Sequence, residues 1–263
     1  ARKDTRIIKD YERLLRKYNI SPKTDVLVDI LSKYGHISST GLISIPKFGA
    51  DVKAIETRKK GLIGTLFSAS WYNKHHEDSV VVSLDTQNAR CWLFSGNKDV
   101  TDERADLLGL WFDSENNTLH INPLEVKTHD ESIEAVITKH DKQSFIQGHA
   151  ADQVAKVVSL INEIFGLTKQ TSLEMFVSAR REVLKYQIVS ECFRNIHDPE
   201  WQKRWEGILK GAFRPAEDRS MKVNVSGILL HIKLSAANGS GSESCYYDGE
   251  EQYPIEFVQL AAK

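Results

Sequence analysis

The sequence predicts an α/β fold, because segments with helical periodicity lie on both sides of a central region of extended character. Apolar residues recur with the period of an amphipathic helix at residues 7–18 and again at residues 150–165. Between them, runs such as residues 79–84 and 105–112 are rich in branched and aromatic side chains and are bounded by turn-forming residues, as strands are. Alternation of this kind is typical of a sheet covered by helices.

The first part of the chain predicts a helical region followed by one long helix. After the amphipathic helix at 7–18, a shorter helix is expected at 26–34, and residues 35–49 suggest a loop or short strand. A long helix is expected from residue 51 through Trp71. Glycine costs about 1 kcal/mol relative to alanine inside a helix. We therefore expect Gly61 and Gly64 to mark close packing against a neighbouring element.

The centre of the chain predicts a sheet of three or four strands. The extended candidates are residues 79–84, 89–94, 105–112 and 118–128. The polar stretch at 113–117 between the last two predicts a hairpin-type turn.

The last part of the chain predicts helices and strands in alternation. Gly166 suits the end of one helix, and Pro199 suits the first position of another. In chain order we expect helices at 150–165, 172–196 and 199–210, a strand at 221–234, a flexible loop at 236–244 and a strand at 254–260.

Three segments follow from this pattern. They are an N-terminal helical region (1–50), a core (51–166), and a C-terminal part (167–263) made of a helical pair and a β attachment. The chain begins with Ala1 rather than Met and stops soon after an apolar run, so we expect it to be a segment of a longer polypeptide.

Composition and charge narrow the classes of function. With 35 basic and 36 acidic side chains among 263 residues, the chain does not bind nucleic acid through bulk positive charge, so any basic surface is local. The isolated cysteines Cys91, Cys192 and Cys245 predict neither a disulfide framework nor a zinc site, which favours the reducing cytoplasm. Since no apolar run approaches the roughly 20 residues that span a bilayer, we expect no membrane partner.

One local pattern carries chemistry. Asp106 opens a predicted strand, a turn follows, and the next strand ends with Glu125, Val126 and Lys127. Side chains alternate along a strand, so Glu125 and Lys127 project to one side and Val126 to the other. If the two strands are hairpin partners, Asp106 faces the same cleft.

Two carboxylates and an ammonium group in one cleft suit the hydrolysis of a phosphodiester. Hard carboxylate oxygens bind Mg²⁺, which supplements one or two protein carboxylates with water and substrate phosphate. The metal acidifies a bound water and neutralises developing charge, while Lys127 orients the water or stabilises the oxyanion. The alternative is that Glu125 and Lys127 form a solvated ion pair worth well under about 1 kcal/mol.

Residues 51–166 resemble the PD-(D/E)xK nuclease superfamily. The resemblance implies a restriction-endonuclease-like core of a helix, a three-stranded meander, a helix and a further strand, with helical N-terminal and helical plus β C-terminal additions. It implies that Asp106 and Glu125 bind Mg²⁺ or Mn²⁺ and that Lys127 is the catalytic lysine. The corresponding acidic residue on the preceding helix is Glu56, and Gln153 is similar to a glutamine found in helicase-associated members.

The sequence departs from the family pattern at two places. Ala105 stands where a proline usually precedes the aspartate, and Lys156 and Val157 stand where an aromatic residue often follows the glutamine. The first of these positions is variable in the family, whereas the second weakens the assignment to the helicase-associated branch.

By the same resemblance, DNA is the expected substrate, in restriction or antiviral defence, together with an ATP-driven translocase or other subunits of a defence complex. The candidate phosphate-binding clusters are Arg58, Lys59 and Lys60, and Arg180 and Arg181. Each cluster could equally be a solvated face. Two further alternatives are a catalytically inactive nuclease-like module for DNA binding or assembly, and a protein-interaction domain.

Overall fold

A large mixed β-sheet with helices on both faces forms the framework of the chain, so the predicted α/β class is confirmed. The computed structural model describes residues 5–21, 23–34, 52–86, 89, 93, 104–128, 135–168, 174–194, 198–234 and 239–261. The predicted loop or strand at 35–49 lies outside the described residues.

The helices form where the apolar periodicity predicts them. Asp198 caps one of them by accepting hydrogen bonds from the backbone N–H groups of Glu200 and Trp201. Another ends before Gly166, whose φ of +62° suits the left-handed position after a helix. The helices are α1 (Thr5–Lys17), α2 (Thr24–Tyr34), α3 (Val52–His75), α4 (His149–Ile164), α5 (Glu174–Arg194) and α6 (Pro199–Ala212), with a short 3₁₀ helix at Ala216–Asp218.

Nine described strands form one sheet around a long central strand. They are β1 (Val80–Ser83), β2 (Leu107–Asp113), β3 (Thr118–Thr128), β4 (Val136–His140), β5 (Gln143–Gln147), β6 (Lys222–Val225), β7 (Gly227–Lys233), β8 (Gly241–Tyr247) and β9 (Pro254–Ala261). Their order is β1-β2-β3-β7-β9-β8-β5-β4, with β6 also paired to β3. Strand β3 is antiparallel to β2 and parallel to both β6 and β7.

The sheet has more strands than the three or four predicted for the centre of the chain, because some strands are defined by pairing that the local sequence does not reveal. Residues 241–244, predicted as the end of a flexible loop, belong to β8, because antiparallel pairing with β9 supplies the hydrogen bonds that glycine and serine composition does not reveal. The predicted strand at 221–234 is interrupted at Ser226 and becomes β6 and β7. The β4–β5 hairpin lacks an Asn-Gly or Asp-Gly signal; its turn residues Asp141 and Lys142 both have positive φ.

The predicted strand at 89–94 is wrong at the positions that the structure describes. Ala89 and Leu93 are helical, and the other residues of this segment lie outside the described ones. Both side chains are buried in the main apolar core, which explains their apolar character without a strand.

The sheet continues across the predicted boundary at residue 166. Strand β7 lies directly beside β3, with Leu124 opposite Ile228, and β9 lies beside β7. The C-terminal strands therefore extend the sheet that holds β1 to β3 instead of forming a separate attachment.

Two apolar layers cover the sheet. Helix α3 packs on one face through Tyr72 and Ala69, and α1 and α2 pack in turn on α3. Helices α4, α5 and α6 cover the other face with the largest apolar cluster, which includes Trp205. No helix in the described part of the chain combines the length and apolar character needed to cross a bilayer.

The two glycines of α3 have different roles. A Cβ atom at Gly64 would lie 1.8 Å from Oγ1 of Thr128 in β3, so the close packing expected there is confirmed. At Gly61, no described atom lies within 4 Å of that position, so the same expectation is wrong for this residue. The close approach therefore concerns the part of α3 that faces the end of β3.

Candidate active site beside the end of the central strand

The three residues of the predicted constellation lie together on one face of the sheet. Asp106 immediately precedes β2, where its N–H donates to Leu124 O and its carbonyl accepts from Leu84 N, at 3.0 and 2.9 Å. Glu125 and Lys127 project from β3 towards α4, while Val126 joins the apolar cluster beneath α3. The alternation predicted from the sequence is therefore present.

Glu125 is a buried carboxylate with one unpartnered oxygen. Its Oε1 lies 2.6 Å from Lys127 Nζ, and the Glu125 side chain is 3% exposed against 24% for Lys127. Its Oε2 is buried and accepts no hydrogen bond from the described residues. The pair is therefore not the solvated ion pair of the alternative interpretation, because Glu125 is buried. Leaving a buried carboxylate oxygen unpaired is costly.

Asp106 is half-buried and is held by the backbone of the neighbouring strand. Its Oδ2 accepts a hydrogen bond of 3.0 Å from Val126 N–H. Desolvation raises the pKa of Asp106 to about 6, although the Val126 N–H and the charge of Lys127 act in the opposite direction.

The pKa of Glu125 is raised further above its ordinary value than that of Asp106. Burial and the negative charge of Asp106 together raise its pKa to about 8, although Lys127 acts in the opposite direction. A buried carboxyl group whose proton affinity is raised by a neighbouring carboxylate is a candidate ligand for a cation.

Gln153 connects helix α4 to this cleft. Lys127 Nζ donates to Gln153 Oε1 at 3.1 Å, and Gln153 Nε2 donates to the carbonyl of Arg104 at 3.3 Å. The side chain is buried, so the first turns of α4 fix the position of the Lys127 ammonium group. The resemblance pointed to this residue, and the structure brings it to the constellation.

Glu56 lies on α3 near its N-terminal end, and its side chain is outside the described part of the chain. Its predicted role at the site stays a prediction.

Three polar residues near the site were not predicted from the sequence. Arg104 forms an ion pair with Asp85, and the charges of both act on the pKa of Asp106. His231 is buried and lies opposite Lys127 in the register of β3 and β7. A single histidine inside the apolar run of β7 was the only local signal of its position.

The two arginines proposed to bind nucleic acid both contact helix α4. Arg180 is buried and its Nη1 lies 3.3 Å from Glu163 Oε2, while Arg181 Nε donates to the carbonyl of Ile164. The prediction that these arginines bind DNA is therefore wrong for Arg180, whose buried guanidinium group fastens α5 to α4, whereas for the half-buried Arg181 it stays a prediction.

The other predicted cluster is only partly described. Lys60 is half-buried, with its Nζ placed 5.2 Å from the centre of the Tyr18 ring. The side chains of Arg58 and Lys59 lie outside the described residues.

The donor set of the cleft fits a hard divalent cation. Within the described residues there is no group of three or more histidine, cysteine, aspartate or glutamate side chains that could hold a metal ion. Mg²⁺, however, commonly uses one or two protein carboxylates and completes its shell with water and phosphate. The unpartnered Oε2 of Glu125, beside Asp106, meets that requirement.

No protein-family model matches the sequence, and neither a curated protein nor a solved structure matches it.

The pKa of Glu125 predicts how stability depends on pH in the absence of metal. The folded state retains the Glu125 proton up to about pH 8, whereas the unfolded chain releases it near the ordinary value of 4.5. Between these values the unfolded state binds fewer protons, so the free energy of unfolding falls as pH rises. At about 1.4 kcal/mol per unit of pKa, we expect a loss of up to about 5 kcal/mol across this interval, with Asp106 contributing in the same direction below about pH 6.

Urea denaturation in EDTA at a series of pH values measures this dependence. Glu125→Gln should flatten most of it, whereas replacing the exposed Glu217 by glutamine should leave it unchanged. A wild-type protein that gains stability between about pH 5 and about pH 8 would contradict the burial of an ionisable Glu125.

Proposed function

We propose that the chain is a Mg²⁺- or Mn²⁺-dependent deoxyribonuclease of the PD-(D/E)xK type, acting in restriction or defence. The single observation that carries this proposal is the buried Glu125, with one oxygen on Lys127 and the other unpartnered beside Asp106. A purely structural ion pair would not need a second carboxylate that raises the pKa of the first.

Each residue of the constellation has a distinct task. Asp106 and Glu125 would hold the cation, which when bound acidifies water and neutralises charge on the phosphate. Lys127 lowers the pKa of Glu125 and presents a proton donor towards the phosphate oxygens or the attacking water. Gln153 accepts from Lys127 and fixes the direction of its ammonium group.

The order of the elements supports the proposed class. Helix α3 is followed by the antiparallel strands β1, β2 and β3, then, after the β4–β5 hairpin, by α4, and strand β7 lies parallel to β3. This order is similar to the helix, three-stranded meander, helix and further strand of the nuclease superfamily. Action together with an ATP-driven translocase or other defence subunits is the corresponding proposal for partners.

The proposal is tested by cleavage and by metal binding on the same samples. Purified chain is incubated with supercoiled and linear DNA in Mg²⁺, Mn²⁺ or EDTA, and Mn²⁺ binding is measured by titration calorimetry. We expect metal-dependent cleavage that falls by about 10²- to 10³-fold in Asp106→Asn, with loss of Mn²⁺ binding.

The matched control is Asp218→Asn, an exposed aspartate in the 3₁₀ helix, which should cleave and bind metal as the wild type does. Wild-type protein that binds neither Mn²⁺ nor cleaves DNA would favour the inactive nuclease-like module. Undiminished cleavage by Asp106→Asn would show that the site has been assigned to the wrong residues.

A further inference from the structure

Helix α1 carries a basic stripe on the side opposite its buried face. The helix has five basic and two acidic side chains, although the whole chain has a net charge of −1. Lys9, Arg13 and Arg16 follow the spacing i, i+4, i+7, which places them on one face of a helix. All three are exposed. Within the described part of the chain, none of them forms an ion pair.

The stripe is held in place by the apolar face of the same helix. Tyr11 and Leu15 are buried against Leu27 of α2 and against Leu62 and Ile63 of α3. Because its apolar face is already covered, α1 cannot insert that face into a lipid bilayer as amphipathic surface helices do. The exposed basic face is therefore its free surface, and the partner that suits it is a polyanion.

Helix α3 lies between α1 and the sheet that carries the candidate site. Gly64 of α3 contacts Thr128 and Val126 at the end of β3, next to Lys127. The residues of α3 that hold α1 surround this glycine, at positions 62, 63 and 66. Helix α1 therefore lies behind α3, on the face of the sheet opposite Lys127, and its basic stripe is a surface separate from the cleft.

We propose that Lys9, Arg13 and Arg16 bind the phosphate backbone of DNA at a surface separate from the cleft. The stripe is about 10 Å long, since an α-helix rises about 1.5 Å per residue, and one strand of a duplex presents about three phosphates over that length. Three cations therefore match three phosphates, without any base contact. This inference rests on the proposed function only for the identity of the partner as the substrate of the cleft.

The test is DNA binding in EDTA, where cleavage cannot occur. Fluorescence anisotropy of short labelled duplex and single-stranded DNA is measured over a series of salt concentrations. The variant is the triple change Lys9→Gln, Arg13→Gln, Arg16→Gln, which removes charge but keeps long helix-forming side chains. We expect affinity to fall at least about tenfold near 0.1 M salt, and the slope of log K against log[salt] to decrease by about 3.

A triple variant elsewhere controls for net charge. Lys203→Gln, Lys210→Gln and Arg214→Gln remove three exposed positive charges in and after α6. This control should retain wild-type affinity and salt slope, and circular dichroism should show both triple variants folded. Equal losses in the two variants, or no loss in the α1 variant, would overturn the inference.

Two further outcomes separate this inference from its rivals. If the α1 variant loses binding to phosphatidylserine vesicles but not to DNA, the stripe is a membrane contact and the inference is overturned. If it loses DNA binding while the wild type shows no metal-dependent cleavage, the stripe is supported and the proposed nuclease activity alone fails. If it binds DNA normally while the wild type cleaves, the inference fails and the activity stands.

Discussion

Replacing Lys127 by alanine is expected to reduce metal-dependent DNA cleavage by about 10²- to 10³-fold. The ammonium group lies 2.6 Å from Glu125 Oε1 and 3.1 Å from Gln153 Oε1. Lys127 is partly exposed, whereas its partner Glu125 is buried. Its loss removes a positive charge from the place where negative charge would develop on the phosphate. Initial cleavage rates at saturating Mg²⁺ measure the effect.

Lys139→Ala is the matched control for this change. Lys139 of β4 also forms an ion pair with a glutamate, since its Nζ lies 3.1 Å from Oε1 of Glu243 in β8. The Lys139 side chain, however, is 74% exposed. We expect this variant to cleave at the wild-type rate and to lose well under about 1 kcal/mol of stability.

The pH profile distinguishes a chemical role of Lys127 from an indirect one. Lys127 lowers the pKa of Glu125, so its removal should raise that pKa above about 8. If Lys127 acts only by keeping Glu125 ionised, Lys127→Ala will regain the wild-type rate at higher pH. If it contributes a donor to the reaction, the rate stays low at every pH, which is the result we expect.

Replacing Gly109 by alanine is expected to destabilise the fold by about 3 kcal/mol or more. A Cβ atom at Gly109 would lie 2.3 to 2.6 Å from three carbons of the Tyr72 ring. That ring cannot easily move, because it is fully buried and its hydroxyl donates to Asn122 Oδ1 at 2.6 Å. Asn122 in turn donates to Ser226, so a shift would reach the break between β6 and β7.

Chemical denaturation of Gly109→Ala and Gly241→Ala tests this expectation. Gly241 is also a strand glycine, but no described atom lies within 4 Å of its Cβ position. Its replacement should leave stability unchanged or raise it by less than about 1 kcal/mol. Equal, small effects at both positions would show that Tyr72 does not lie over Gly109.

Much of the candidate site was predictable because its core is local. Asp106, Glu125 and Lys127 belong to one antiparallel hairpin, and alternation along β3 determines which side chains share a face. Gln153 required the resemblance, since nothing in its own helix indicates a contact with Lys127. Arg104, Asp85 and His231 were missed because they reach the cleft from separate elements.

The helices were also largely predictable, and the extent of the sheet was not. The period of apolar residues is a property of each segment, so α3, α4, α5 and α6 lie close to their predicted positions. Strand β8 depends on pairing with β9, and the β4–β5 hairpin turns through two residues that carry no strong turn signal.

The sequence by itself determined the α/β class, the hairpin that carries Asp106, Glu125 and Lys127, and the faces that these side chains take. Only the tertiary structure decided that Glu125 is buried with an unpartnered oxygen, that Arg180 is internal, and that α1 presents a basic stripe away from its packed face. The physical reason is distance along the chain. Local periodicity acts over a few residues, whereas contacts such as Asn122 with Ser226 join positions 104 residues apart and exist only after the chain has folded.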